Sequence, residues 1–396
     1  MSIEIESIAF NHTVGSQSAD AMNVRRNGSQ ALLTPEWQRG VSSTAQDAPA
    51  VYSIADTTGH TITIHVTLRR LRRDMKKVEV RALDMNAGGG CLYSILVGLG
   101  LGDWIQPRTG GLLGSVDARR VPFGTNGQTG PLPFTLSNHR LQTSGVDTDI
   151  VLWRWQYREG HGAWTDIGVT QHEAFSVLAS PTAPWVAQPL ASADVLWTDL
   201  LRYACDWARG AQNANEAAAA VTRAVYALGA GTVTYDCPGG GSSNYSWGAF
   251  DLSAFLDRLN GGVGNGVYVN CSDCATFVST VANALGADLW QSRMGYGFAL
   301  NPLLAIGSNV WQTACGWGSF SYHEVAWKGA CTATERIYDA CLQVDNDSNP
   351  AAPPQSPLLP QDMRFGNAGD GDYRDKLSPS GNCSPQPTTR QRRALV

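Results

Sequence analysis

The sequence has no excess of positive charge: 29 Lys and Arg stand against 34 Asp and Glu, a net charge of −5 over 396 residues. Domains whose main partner is nucleic acid present a basic face to the phosphates, so this balance argues against such a partner. No apolar run reaches the roughly 18 residues that a bilayer crossing needs, and no transmembrane helix is expected. Met1 to Arg26 contains no apolar stretch of the kind found in a Sec signal peptide. The chain is therefore expected to be made in a reducing cytoplasm, with any export by a signal-independent route. There is no internal repeat, and His139, His161 and His172 show no metal-ligand spacing.

What is present suits a globular chain of two domains. Hydrophobic residues make up 43% and charged residues 16%, enough to build buried cores. Thirteen Trp are many for this length. Trp153, Trp155, Trp164, Trp185 and Trp197 are read as fillers of cores and of a domain junction rather than as a binding groove. The nine Cys are scattered and odd in number, so most are read as buried apolar side chains and a disulfide framework is not the default reading. One basic run, from Arg69 to Lys77, is read as the solvated tip of a hairpin rather than as an anion patch.

Texture divides the chain. Residues 1–50 are polar and are expected to be irregular. Residues 51–188 read as an all-β, Ig-like sandwich. Ile62, Ile64, Val66 and Leu68 alternate with polar residues, Val78–Ala82 is a return strand, and Val151–Tyr157 and Ala174–Leu178 are late strands. Turns are expected at Gly88–Gly90, Gly110–Gly111 and Gly124–Gly130, and Pro181, Pro184 and Pro189 mark a boundary. Residues 189–349 then read as an α+β domain. Helices are expected near Leu196–Ala208, Ala214–Leu228 and Leu252–Leu259 and from Cys271 to Leu285, with strands near Tyr322–Trp327 and Arg336–Val344. Residues 350–396, rich in Pro, Gly and Asp, are expected to be an irregular tail.

Three features of the α+β segment converge on chemistry. Asn270 is a good N-cap with Asp273 three residues on, so Cys271 opens a helix whose dipole favours a thiolate. Cys274 lies one turn along on the same face. His323 is the only imidazole after His172 and shares a strand face with Val325 and Trp327. Asp339, on the next expected strand, is placed to orient it. Nucleophile, base and orienter are the parts of a thiol acyl-transfer site. A zinc site would need a second pair to match Cys271 and Cys274, and none is visible. Asp345 and Asp347 read as a solvated turn rather than a calcium loop. No cofactor or metal is expected.

The segment from Cys271 to Gly286 resembles the core of the transglutaminase-like, papain-like cysteine enzymes. Asp273, Ala275, Leu285 and Gly286 fall in the family's register after Cys271, and Val233-Thr234-Tyr235-Asp236 is similar to the step that precedes the Cys there. The order Cys, His, Asp agrees. His323 is followed by Glu324-Val325-Ala326-Trp327, without the family's common Trp two residues after the His. Asp273-Cys274-Ala275-Thr276-Phe277-Val278 is also similar to the start of NlpC/P60 peptidoglycan peptidases, which makes Cys274 the alternative nucleophile. The resemblance implies a papain-like fold and a Cys271–His323–Asp339 triad. It also implies acyl transfer or hydrolysis on an amide of a protein or peptide substrate, through a thioester. A catalytically inactive scaffold or binding protein is the alternative outside enzymology. An exported bacterial effector is the role that this reaction class suggests.

Overall fold

The computed structural model describes residues 2–12, 20–75, 77–87, 110–137, 140–185, 195–237, 239–242, 244–246, 248–312, 316, 318–379 and 382–396. The expected turn at Gly88–Gly90, the boundary residue Pro189, His139, Cys91 and Cys315 lie outside them. Two compact units emerge, one of residues 1–26 and 30–180, the other of residues 27–29 and 181–396.

The first unit holds a four-stranded and a five-stranded sheet. In the smaller sheet the order is Trp37–Gln38, Ile3–Ala9, Thr63–Arg70 and Leu132–Thr135. In the larger it is Pro49–Ser53, Thr165–Val177, Asp147–Arg158, Lys77–Asp84 and Val116–Pro122. Ile3, Ile5 and Ile8 from one sheet and Val78, Val80, Trp153 and Trp155 from the other share a single apolar cluster. A short helix, α1 (Ile54–Thr57), begins at the N-cap Ser53.

Two expectations for this unit are corrected. Residues 1–50 are not irregular, because Ile3–Ala9 runs beside Thr63–Arg70 inside the sheet. A register shift between Ile5 and Ser7 moves the next buried position to Ile8, so the period-2 pattern that would announce a strand is broken. The basic run is not a hairpin tip, because Thr63–Arg70 and Lys77–Asp84 belong to different sheets. Arg69 pairs with Glu4 at 2.8 Å and with Glu6 at 3.1 Å.

The second unit wraps one helix. Helices α2 (Thr198–Trp207), α3 (Ala214–Ala227), α4 (Leu252–Leu259) and α5 (Cys271–Ala284) match the sequence periodicity to within a residue or two. Asn213 caps α3 by accepting from the N–H groups of Asn215 and Glu216, and Asp251 caps α4 through Ala254 N–H. Every residue of α5 is buried. After Asp273 the helix carries no charge, and Ser279 and Thr276 turn their hydroxyls back onto their own helix carbonyls at 2.8 and 2.7 Å. The helix packs against α2 and α3 and against a five-stranded antiparallel sheet. The order of that sheet is Met363–Arg364, Arg336–Tyr338, His323–Lys328, Leu289–Met294 and Pro385–Gln391.

Both outer strands, Met363–Arg364 and Pro385–Gln391, are therefore built from the segment expected to be an irregular tail, which is a correction. Phe365, Tyr373, Leu377, Cys383 and Leu395 are fully buried. The guanidinium groups of Arg390 and Arg392 lie 3.5 and 3.8 Å from the Trp290 ring centroid on the neighbouring strand. Pro385 and Pro387 are tolerable because the strand is at the edge. Helix α6 (Tyr373–Leu377) belongs to the same segment. The single strand expected over Arg336–Val344 is also corrected: Arg336–Tyr338 and Leu342–Asp345 enter different sheets, and Asp339 sits at the break. No described helix is long and apolar enough to cross a membrane.

Candidate active site

The site is built at the N-terminus of α5. Asn270 accepts the Asp273 N–H at 3.0 Å, and Asp273 accepts the Asn270 N–H at 3.0 Å, a reciprocal capping box. The Ser242 hydroxyl donates to the other Asp273 oxygen at 2.5 Å. Burial pushes the Asp273 carboxyl up to about 6, against the pull of these hydrogen bonds. Cys271 is the first helical residue and is 6% exposed.

His323 begins the central strand of the sheet, with Met294 opposite it. Tyr338 pairs with Ala326 in the adjacent antiparallel strand, so one step further along that register Asp339 falls across from Val325. Directly opposed residues share a face, and His323 shares it too, two residues away. There His323 Nε2 meets Asp339 Oδ2 at 2.9 Å, with both side chains buried. Phe320 stacks on the imidazole with ring centroids 5.4 Å apart and planes 15° apart.

Burial alone would strip the imidazole of its proton. The Asp339 charge, the hydrogen bond to Asp339 and the neighbouring Cys271 thiol outweigh burial and hold His323 at about 10. His323 Nδ1 has no hydrogen-bond partner among the described residues. The Cys271 thiol is among the groups that raise the imidazole, after Asp339.

Cys274 is turned elsewhere. Its thiol interacts with that of Cys341, and although this contact pulls its pKa down, burial and nearby negative charge push it above the ordinary thiol value. Cys205, Cys271, Cys274, Cys331, Cys341 and Cys383 are buried, as expected of most of the cysteines, whereas Cys237 is disulfide-bonded. The remaining sequence candidates are structural. His172 is driven down to about 3 by burial and meets Thr170 Oγ1 at 2.8 Å, and His161 is exposed. Trp153, Trp155, Trp185 and Trp197 are buried, while Trp164 lies half-buried between Arg81 and Arg158. Asp345 accepts the N–H groups of Asp347 and Ser356 within its turn. Among the described residues no group of three or more His, Cys, Asp or Glu side chains is placed to hold a metal ion.

Several residues around the site gave no signal in the sequence. The Tyr373 hydroxyl donates to Asp339 Oδ2 at 2.7 Å, and the Cys341 N–H donates to Oδ1 at 2.8 Å. On the opposite face of the His323 strand, the fully buried Glu324 accepts from Ser272 at 2.5 Å and from Arg393 at 2.8 Å. Arg393 also reaches Thr276 at 2.9 Å. The flanking sequences, polar and glycine-rich in one case and arginine-rich in the other, read as solvated chain.

No family model matches this chain, and no curated protein matches it. Among solved structures it is similar to red sea bream transglutaminase, at 12% identity with a TM-score of 0.33, over 80% of this chain and 50% of that one. The chain thus spans about half the length of that enzyme. At this identity and score the likeness establishes no shared chemistry.

Proposed function

We propose that the second unit is a cysteine-dependent enzyme that transfers or hydrolyses acyl groups at amide bonds of a protein or peptide substrate, with Cys271 as nucleophile, His323 as acid–base and Asp339 as orienter. The supporting observation is the buried 2.9 Å hydrogen bond between His323 and Asp339 beside a thiol at a helix N-terminus. An imidazole held at about 10 is protonated at neutral pH. In the mechanism proposed here Cys271 attacks as the thiolate beside this imidazolium, so that no general base has to act before attack.

The Cys271 thiolate adds to the amide carbonyl, and the oxygen takes up negative charge. At the start of α5 the Asp273 N–H is held by Asn270, and the Cys274 N–H bonds the Asn270 carbonyl at 3.1 Å. The N–H groups of Cys271 and Ser272 are left to receive the oxyanion. His323 then gives its proton to the departing ammonia or amine, which leaves a thioester. Water or a second amine, deprotonated by His323, releases the acyl group and restores the pair.

Cys274 suits the nucleophile's part less well, because its thiol faces Cys341 and is kept protonated. The competing peptidoglycan-peptidase register, which needs Cys274 as nucleophile, is the less well supported for that reason. The test is to incubate the protein with glutamine-containing peptides and a fluorescent primary amine, following ammonia release and amine incorporation. Either signal should disappear in Cys271→Ala and persist in Cys274→Ala. Turnover that survives Cys271→Ala defeats the assignment. Turnover absent from the wild type on these peptides and on cell-wall peptides favours the inactive scaffold instead.

A further inference from the structure

Asp339 is held by more than the imidazole it faces. Its Oδ1 accepts the Cys341 N–H at 2.8 Å, and its Oδ2 accepts both His323 Nε2 at 2.9 Å and the Tyr373 hydroxyl at 2.7 Å. Tyr373 is fully buried. Burial, then the Asp339 charge, pushes its phenol well above the ordinary tyrosine value, so the hydroxyl stays neutral and donates.

Tyr373 opens α6, and that helix is pinned in place. Asn301 donates to the carbonyls of Asp375 and Lys376 at 2.9 and 3.0 Å, and Ser378 donates to Ala299 at 2.6 Å. The Arg374 N–H meets the Phe365 carbonyl at 2.9 Å. The phenol is thus a fixed point rather than a mobile side chain. A carboxylate with one donor on Oδ1 and two on Oδ2 cannot rotate about its Cβ–Cγ bond without breaking three hydrogen bonds. With the phenol removed, Oδ2 keeps a single donor and the carboxylate gains rotational freedom.

We infer that Tyr373 is a positioning residue of the proposed Cys271–His323–Asp339 set, acting through Asp339 to keep the imidazole protonated and aimed at Cys271. This inference rests on the function proposed above. It makes the segment beyond residue 349 part of the active site, although that segment contributes no group that touches substrate.

The experiment measures the rate of Cys271 alkylation by iodoacetamide against pH in the full chain, for wild type, Tyr373→Phe and Asp339→Asn. Near-ultraviolet circular dichroism reports whether each variant is folded. Tyr373→Phe should raise the midpoint of the pH–rate profile by about one unit, which slows alkylation at pH 7 about tenfold. Asp339→Asn should raise it further. A purely structural tyrosine would lower the melting temperature and leave the midpoint where it is. If Asp339→Asn moves the midpoint and Tyr373→Phe does not, the inference is overturned while the proposed function stands. If neither moves it, both fall. Should the phenylalanine variant not fold, 4-fluorophenylalanine at position 373 fills the place of the hydroxyl without donating a proton, and an unmoved midpoint there overturns the inference.

Discussion

At the scale of single residues, His323 carries the strongest electrostatic consequence. Its folded value of about 10 lies above the ordinary 6.5, so its contribution to stability is complete below pH 6.5 and is lost as pH rises through about 10. Urea midpoints measured from pH 6 to 10 should fall in the wild type and show a smaller fall in His323→Gln. Equal slopes would mean that the imidazole is not held in its charged form. The capped helix start at Cys271 and the strand that begins at His323 were legible in the sequence, whereas Asp339 lies at a break between strands that the sequence did not announce. Tyr373 was not legible. Its neighbours are Gly, Asp and Arg, and what places its hydroxyl is the tertiary packing of α6, which leaves no periodic trace.

Among the elements, α5 was the most readable, since its cap, its length and its buried stripe agree with one another. Its stability depends on the reciprocal capping of Asn270 and Asp273. Asp273→Ala removes a partner from the Asn270 N–H and from the Ser242 hydroxyl, and should cost about 1–2 kcal/mol, read as a lower melting temperature. Asp273→Asn should cost less. The strands were read less well where their patterns were irregular. Ile3–Ala9 hides behind a register shift, and Pro385–Gln391 is recruited by arginine stacking on Trp290 rather than by apolar alternation.

For the whole molecule, the division into a two-sheet unit and a helix-and-sheet unit follows from a change of period in the sequence. The closure of the second unit does not, because it depends on Arg393 reaching the fully buried Glu324. Removing one member of a buried ion pair leaves the other uncompensated, so Arg393→Met should cost about 3–5 kcal/mol in denaturant titrations. Arg393→Met combined with Glu324→Gln should recover much of that loss. A single variant as stable as the wild type would show that the C-terminal segment is only loosely attached. A chain shortened before Pro385 loses an edge strand together with this pair, and its second unit should not fold.

The most direct measurement is competitive alkylation of the intact protein with limiting iodoacetamide, mapped by peptide mass spectrometry between pH 5 and 9. Cys271 should be modified well ahead of Cys205, Cys274, Cys331, Cys341 and Cys383, and already below pH 7, with the advantage lost in His323→Ala. If Cys271 reacts no faster than those buried thiols, or reacts equally fast without His323, the thiolate–imidazolium pair does not exist and the chain is not a cysteine enzyme.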